Sequence, residues 1–271
     1  ASTQQNPSVN TAGPYTLTVT GPNGCTSTSV ATVTQNTTPP GASASPSGPI
    51  NCLNATVILN GSSPSQPVTY AWTGPNNFTS TLQNPSVSVA GNYELTVNFG
   101  SNGCTSTATA TVIQNLTEPV VSIATPANLN CNNATIQINA TASSQGPDFT
   151  YLWTTVNGNI VSGANTLTPV VNAAGTYSLL ITNTVNGCTA TGSTTVNQSP
   201  AVTASASATN VGCNGGANGT ASVVAGGGAG NFTYAWSNSG TTATISNLPA
   251  GIYAVTVADG ENCTATATAT V

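Results

Sequence analysis

The chain of 271 residues contains no lysine, no arginine, no histidine and no methionine. Without lysine and arginine it cannot displace counterions from phosphates, which excludes nucleic-acid binding and electrostatic binding to anionic lipid headgroups. Without histidine it lacks both the most common general base and the imidazole ligand of metal ions. A lysine–asparagine isopeptide bond is excluded because the chain has no lysine. These absences predict a protein that is not an enzyme and has no catalytic residues, no metal site and no cofactor.

Charge of either sign is scarce. Charged residues make up 2% of the chain, where ordinary globular proteins carry about 25%. The acidic residues are Glu94, Glu118, Asp148, Asp259 and Glu261. Hydrophobic residues make up 38%, which argues against disorder. The sequence has no apolar run long enough to span a bilayer, so it predicts no membrane insertion. We expect a mature piece, or an internal fragment, of an exported protein.

Two short motifs recur along the chain and define repeats. Gly-x-Tyr followed by a cysteine 10 or 11 residues after the tyrosine occurs four times, at Tyr15/Cys25, Tyr93/Cys104, Tyr177/Cys188 and Tyr253/Cys263. A cysteine followed by Tyr-x-Trp occurs three times, at Cys52/Trp72, Cys131/Trp153 and Cys213/Trp236. The predicted divisions are the C-terminal half of a repeat at 1–36 and whole repeats at 37–116, 117–198 and 199–271.

Each repeat has the pattern of short β-strands. Tyr70 and Trp72 alternate with small or polar residues, as do Tyr93 and Leu95, and this period of two marks a half-buried strand. Asn-Gly pairs then indicate hairpin turns. We predict an all-β fold of tandem immunoglobulin-like β-sandwiches, arranged like beads on a string in a rod or filament. The predicted core residues are Trp72, Trp153, Trp236, Tyr15, Tyr93, Tyr177 and Tyr253.

The seven cysteines predict disulfide bonds and an oxidising, extracellular location. If six strands form a repeat, its two cysteines lie at one end and can pair; if seven do, they lie at opposite ends, beyond bonding distance. The last repeat has the pattern of six strands, which favours Cys52–Cys104, Cys131–Cys188 and Cys213–Cys263, with Cys25 unpaired. The alternative joins cysteines across linkers, as Cys25–Cys52, Cys104–Cys131 and Cys188–Cys213. A zinc site is disfavoured because the cysteines occur singly.

Asp259 and Glu261 are the only acidic residues close together in sequence. With Asn262 they could supply oxygen ligands to Ca²⁺. No other acidic residue is near in sequence, so we expect a solvated hairpin turn instead.

The last repeat resembles a known family. Its segments Cys213-Asn-Gly-Gly-Ala-Asn-Gly-Thr, Tyr234-Ala-Trp-Ser-Asn and Leu248-Pro-Ala-Gly-Ile-Tyr253 are similar to the SprB repeat of gliding-motility adhesins of gliding Bacteroidota. The other repeats are similar to the Ig-like or PKD-like repeats of the same giant surface proteins. The resemblance implies type IX secretion and a filamentous adhesin at the cell surface.

Together these observations predict a non-enzymatic structural or adhesive segment of a long, repetitive cell-surface filament. Its expected partners are neighbouring repeats of the same or of identical chains. One alternative is a self-assembling extracellular fibre subunit, because the half repeat at 1–36 exposes an open sheet that another chain could complete. A second is a carbohydrate-binding module for a surface polysaccharide or other glycan. It would use aromatics outside the core pattern, such as Phe78 and Phe99.

Overall fold

The computed structural model describes residues 1–213 and 215–271, which fold as β-strands with one short 3-10 turn at Pro75–Asn77. The prediction of an all-β fold is confirmed. The chain divides into two compact units, Ala1–Leu116 and Thr117–Val271. We call residues 1–36 the leading half repeat, and 37–116, 117–198 and 199–271 the first, second and third repeats.

The unit Ala1–Leu116 contains the leading half repeat and the first repeat. Its strands are β1 Gly13–Thr20, β2 Thr26–Val33, β3 Ser43–Pro46, β4 Ile50–Asn51, β5 Val57–Ser62, β6 Val68–Gly74, β7 Phe78–Ser80, β8 Ser86–Val87, β9 Gly91–Phe99, β10 Thr105–Val112 and β11 Gln114–Asn115. Strands β1 and β2 form a two-stranded antiparallel hairpin. The first repeat has the sheets β10-β9-β6-β7 and β3-β5-β8, and β4 pairs in parallel with β11.

The unit Thr117–Val271 contains the second and third repeats. Its strands are β12 Ile136–Gln137, β13 Phe149–Val156, β14 Ile160–Ser162, β15 Val170–Val171, β16 Gly175–Asn183, β17 Thr189–Val196, β18 Thr203–Thr209, β19 Gly219–Gly226, β20 Thr233–Trp236, β21 Thr244–Leu248, β22 Ile252–Ala258 and β23 Thr264–Thr270. The second repeat has sheets β12-β15-β14 and β13-β16-β17, and the third has β18-β19-β21 and β20-β22-β23.

Alternation along the strands builds one core in each whole repeat. In β9 the side chains of Tyr93, Leu95 and Val97 are buried while their neighbours face outward. They pack with Leu59 of the other sheet and with Trp72. The second and third repeats have separate clusters of the same kind. Each whole repeat is therefore an immunoglobulin-like sandwich with its own hydrophobic core.

The aromatic residues named in the sequence analysis fall into two groups. Those that are buried, with at most 4% of the side chain exposed, are Trp72, Trp153, Trp236, Tyr93 and Tyr177. Tyr253 is half buried against the third core. Tyr15 is also half buried, but Leu17 and Val19 beside it are 58% and 57% exposed. Strands β1 and β2 form a sheet of only two strands, and no core cluster of the described residues includes this hairpin.

The four tyrosines of the Gly-x-Tyr motifs make the same hydrogen bond. The hydroxyl of Tyr93 donates to the carbonyl of Val89, and that of Tyr177 to the carbonyl of Ala173, each four residues earlier. Tyr15 and Tyr253 do the same with Thr11 and Pro249. This is the tyrosine-corner arrangement of immunoglobulin-like domains. No helix in the described part of the chain is long and apolar enough to cross a membrane.

Candidate functional site

The chemically distinctive site is a disulfide bond between two successive repeats. Cys131 of the second repeat is bonded to Cys263 of the third, with a Cα–Cα distance of 5.7 Å and a sequence separation of 132. We call the cysteine before Tyr-x-Trp the early cysteine of a repeat and the one after Gly-x-Tyr the late cysteine. The bond therefore joins the early cysteine of one repeat to the late cysteine of the next.

The remaining cysteines differ in state. Cys52 and Cys188 are disulfide-bonded as well. The free thiols among the described residues are Cys25 and Cys213, which are exposed, and Cys104, which is partly buried.

The predicted pairing within repeats is therefore wrong. Cys131 is not bonded to Cys188, Cys263 is not bonded to Cys213, and the free thiol of Cys104 excludes the bond to Cys52. The alternative pairing across linkers, Cys25–Cys52, Cys104–Cys131 and Cys188–Cys213, is excluded by the same observations. Cys25 is unpaired, but so are Cys104 and Cys213.

The two cysteines of a repeat cannot meet because they lie at opposite ends of its sandwich. The backbone N–H of Leu129, just before Cys131, donates to Asn197, at the exit from the second repeat. Cys188 lies in the hairpin that precedes β17, so the eight residues of that strand separate the two ends. Eight strand residues span about 26 Å, whereas a disulfide requires Cα atoms within about 7 Å. The late cysteine of the following repeat lies at its entry end and comes within bonding distance.

The early cysteines of the first two whole repeats lie in the same type of loop. The side-chain oxygen of Asn130 accepts hydrogen bonds from the backbone N–H groups of Asn132, at 3.0 Å, and Asn133, at 2.7 Å. Asn51, just before Cys52, holds its own loop in the same way. An asparagine that binds backbone two and three residues ahead forms a tight local turn. The sequence Asn-Cys-x-Asn thus fixes the position of the early cysteine.

The late cysteine of the third repeat is positioned by Asp259. Its carboxylate accepts hydrogen bonds from the backbone N–H groups of Ala229 at 2.8 Å, Glu261 at 2.9 Å and Cys263 at 2.8 Å. The bond from Ala229 is the main cause that holds the pKa of Asp259 below its ordinary value, with burial acting in the opposite direction. Only 4% of the Asp259 side chain is exposed. The expectation of a solvated turn is wrong for this residue, because backbone groups replace water around its carboxylate.

Glu261 connects the hairpin to the preceding repeat. Its carboxylate accepts a hydrogen bond from the side-chain amide of Asn130 at 2.8 Å, and its backbone carbonyl accepts one from the side-chain amide of Asn132. The hydroxyl of Ser199, in the segment between the repeats, lies 3.5 Å from the same carboxylate. We call these residues, together with Cys131, Asp259 and Cys263, the repeat junction. Polar contacts thus surround the covalent bond and orient the two repeats.

A second type of contact fixes the linker at the entry of a repeat. The side-chain amide of Asn102 donates to the carbonyl of Thr38 at 3.1 Å, and that of Asn186 donates to Thr117 at 2.9 Å. Both asparagines belong to Asn-Gly-Cys hairpins, in which the glycine has a positive φ of about 70°. That φ is costly for other residues. The Asn-Gly pairs predicted the turns, but nothing in the sequence indicated that the asparagine side chain donates a hydrogen bond to the linker.

No metal-binding arrangement accompanies the junction. Within residues 1–213 and 215–271, no group of three or more cysteine, aspartate or glutamate residues could hold a metal ion. The Ca²⁺ hypothesis at Asp259 and Glu261 gains no support, because the Asp259 carboxylate already accepts three backbone hydrogen bonds and Oε2 of Glu261 accepts one from the side-chain amide of Asn130. What the junction does chemically is to bond two folded repeats covalently.

The comparison with protein families gives one match. The model of the SprB repeat matches residues 205–241, from β18 into the turn after β20. The match supports the resemblance to the SprB repeat within the third repeat. No curated protein matches the chain significantly.

Three of the solved structures that match contain several domains. Three domains of the outer capsid protein Hoc of bacteriophage RB49 are 11% identical to this chain. The match covers 85% of this chain and 98% of the Hoc chain, with a TM-score of 0.35. Titin domains A168–A170 match with 13% identity, 79% and 90% coverage and a TM-score of 0.30. Extracellular domains 3–5 of Drosophila OTK match with 14% identity, 79% and 89% coverage and a TM-score of 0.30. These low values carry no conclusion about function, and the fold assignment rests on the strands and cores described above.

Proposed function

We propose that the chain is a load-bearing structural segment of a repetitive extracellular adhesin filament. The single observation that carries the proposal is the Cys131–Cys263 bond between successive repeats. The SprB-repeat match in the third repeat supports an adhesin-like setting at the cell surface. Gliding motility and type IX secretion, which the resemblance implies, are the finer part of the same proposal.

The bond limits how far the chain can extend under tension. Residues between Cys131 and Cys263 form a closed covalent loop, so a force applied to the chain ends passes through the sulfur atoms. A separation of 132 residues, at about 3.4 Å per extended residue, corresponds to roughly 450 Å of chain that cannot be pulled out. Closing a loop of this size also stabilises the folded state by about 5 kcal/mol in the chain-entropy account.

The structure gives the carbohydrate-binding alternative little support. Phe78, one of the two aromatics outside the repeated pattern, packs edge-to-face on Tyr93 with ring centroids 5.3 Å apart. It is half buried and contributes to the first core. Phe99 is also half buried. An aromatic platform for a sugar ring needs one broad ring face open to solvent, whereas both of these side chains are half buried.

Single-molecule pulling of the full chain from its two ends tests the load-bearing role. We expect reduction of the disulfides to lengthen the fully extended chain by at least about 450 Å, from the residues released at ~3.4 Å each. A control variant with Cys25, Cys104 and Cys213 all replaced by serine keeps this length change, because these thiols are free. An extended length that is the same before and after reduction would refute the proposal. Saturable binding on a glycan array would favour the carbohydrate alternative.

A further inference from the structure

A cleft lies beside the disulfide bond of the repeat junction. Its volume is about 310 Å³, and both bonded cysteines, Cys131 and Cys263, line it together with residues 198–202. We propose that a small thiol enters this cleft, attacks the sulfur of Cys131 and opens the bond, and that a positively charged aminothiol reacts faster there than an anionic thiol. The inference rests on the bond that carries the proposed function and names the reaction that releases it.

The two bonded cysteines differ in access. Cys131 is exposed, whereas Cys263 is only 8% exposed and its backbone N–H is bound to the Asp259 carboxylate at 2.8 Å. The rate of thiol–disulfide exchange depends on which sulfur the attacking thiolate reaches. Attack therefore occurs at Cys131, and Cys263 is the leaving group.

The cleft adjoins a negative charge that no basic side chain offsets. Glu261 is bound to two residues that line the cleft, since its Oε2 accepts a hydrogen bond from Asn130 at 2.8 Å and lies 3.5 Å from the Ser199 hydroxyl. The other carboxylate oxygen, Oε1, accepts no hydrogen bond from any residue that the structure describes. The chain contains no lysine, arginine or histidine. An ammonium group is therefore attracted to this cleft, and an anion is repelled.

The lining of the cleft also suits the carbon stem of a small thiol. Pro200, Ala201 and Val202 supply apolar side chains, and a methylene group gains free energy when apolar surface covers it. Apolar lining beside an uncompensated carboxylate matches a short aminothiol such as cysteamine, which has a two-carbon stem and an ammonium group.

The bond opens in two exchanges. In the first, the thiolate of one aminothiol attacks the Cys131 sulfur, the bond to Cys263 breaks, and Cys263 leaves as a thiolate that takes up a proton. In the second, another aminothiol thiolate attacks the aminothiol sulfur of the mixed disulfide and releases Cys131, which is protonated in turn. Two aminothiols are oxidised to one disulfide, the two cysteines are reduced to thiols, and the two protons that the aminothiols lost end on the cysteines.

The test compares three two-carbon thiols of different charge, which are cysteamine, 2-mercaptoethanol and 2-mercaptoethanesulfonate. They act on the full chain with the substitutions Cys25→Ser, Cys104→Ser and Cys213→Ser, which remove the free thiols. Alkylation at timed intervals, peptic digestion and mass spectrometry follow Cys131 and Cys263. Each rate is divided by the rate of the same thiol with an uncharged small disulfide, which removes differences in thiol acidity.

We expect the normalised rate to fall roughly threefold with each unit of negative charge on the thiol at low ionic strength, as for charges several ångströms apart in solvent. The differences shrink in about 1 M salt, where the Debye length is about 3 Å. At early times the product carries the thiol on Cys131 and leaves Cys263 for alkylation. Equal normalised rates for the three thiols, or a first product on Cys263, would overturn the inference.

Glu261→Gln identifies the source of the selectivity. The glutamine oxygen still accepts the Asn130 bond, but the charge is gone, so we expect the ratio of the cysteamine rate to the sulfonate rate to fall several-fold. A substitution that only loosens the junction would speed up all three thiols equally and leave this ratio unchanged. An unchanged ratio in Glu261→Gln would therefore contradict the assignment.

Asp148→Asn is the matched control. It removes an exposed carboxylate of the second repeat. The backbone carbonyl of Asp148 accepts a hydrogen bond from Thr184, in the hairpin of Cys188 at the opposite end of that repeat from Cys131. We expect this variant to keep the ratio of the parent chain.

A neutral phosphine separates this inference from the proposed function, because it reduces disulfides without a thiol. If the phosphine lengthens the pulled chain but the three thiols open the Cys131–Cys263 bond at equal normalised rates, the exchange site is refuted and the load-bearing role stands. If the phosphine leaves the extended length unchanged, the load-bearing role is refuted, whatever the thiol rates are.

Discussion

At the residue scale, buried tyrosine and tryptophan side chains fix the conformation of each repeat through single hydrogen bonds. The indole N–H groups of Trp72, Trp153 and Trp236 donate to backbone carbonyls of Gln83, Thr166 and Thr242. A buried donor left unpaired is costly, so each bond specifies where the neighbouring loop must pass. Regular spacing of aromatics made these residues predictable from the sequence.

Loss of one tyrosine hydroxyl should destabilise a whole repeat more than the leading hairpin. The Tyr177 hydroxyl donates to Ala173 at 2.7 Å and accepts from the N–H of Asn159 at 2.9 Å. Tyr177→Phe leaves both groups unpaired in a buried place, so we expect a loss of about 1–3 kcal/mol in the free energy of unfolding. Urea denaturation measures it, with Tyr15→Phe as the matched control, since the Tyr15 bond is solvent-exposed. Equal effects of the two substitutions would contradict this assignment.

Asp259 makes the third repeat sensitive to acid. Its pKa in the folded state is lowered from the ordinary value of 3.8, mainly by the hydrogen bond from Ala229. A lowered pKa contributes stability above the pKa of the unfolded state, and this contribution is lost as the pH falls through the folded value. We therefore expect stability to decline below about pH 4. In Asp259→Asn the decline is smaller, and stability at neutral pH is already reduced because the amide nitrogen cannot accept the Ala229 bond.

Denaturation at a series of pH values checks the Asp259 prediction. An identical pH dependence in Asp259→Asn and in the parent chain would show that another group is responsible. The sequence could not reveal this role, because Asp-Gly alone predicts an exposed turn. The partners of Glu261 were equally hidden, since Asn130 and Asn132 lie in a different repeat.

At the element scale, two hairpins of the same sequence type have different surroundings. In β9, Leu95 and Val97 are fully buried, while their counterparts Leu17 and Val19 in β1 are mostly exposed. Strand alternation and Asn-Gly turns predicted both hairpins correctly. Their different burial follows from the opposing sheet: Leu95 and Val97 pack with Leu59 of β5 in the first core, whereas no core cluster of the described residues includes β1–β2.

The β1–β2 hairpin should be much less protected from solvent than its counterpart. A two-stranded hairpin is at best marginally stable alone, so local opening exposes its amides. We expect the amides of Leu17 and Val19 to exchange with deuterium at least about 100-fold faster than those of Leu95 and Val97. The second hairpin serves as the internal control within the same molecule. Equal protection of the two hairpins would mean that something covers β1–β2.

At the scale of the whole molecule, the disulfide register decides how repeats are connected. The number of cysteines and the alternation of early and late cysteines were visible in the sequence, but the pairing was not. It depends on the end of the sandwich at which each cysteine lies. The parallel β-bridge between Leu129 and Gln198, which lies outside the named strands, has no local signature in the sequence. Counting strands within one repeat also could not show that the partner lies in the next repeat.

Removal of the inter-repeat bond should destabilise the unit Thr117–Val271. Cys131→Ala opens a loop of 132 residues, and we expect the free energy of unfolding to fall by about 2–5 kcal/mol. Denaturation under non-reducing conditions measures the change. The control Cys25→Ala removes an exposed free thiol and should leave stability within about 0.5 kcal/mol of the parent. Similar losses in the two variants would mean that the bond does not stabilise the unit.

The most direct test of the central claim is to map the disulfides of the oxidised chain. Free thiols are first blocked with an alkylating reagent, and the protein is digested with pepsin without reduction and analysed by mass spectrometry. The account predicts a peptide pair that joins Cys131 to Cys263, with Cys25, Cys104 and Cys213 alkylated. A peptide pair that joins Cys131 to Cys188, or Cys213 to Cys263, would contradict it, because repeats would then be closed individually and not bonded to one another.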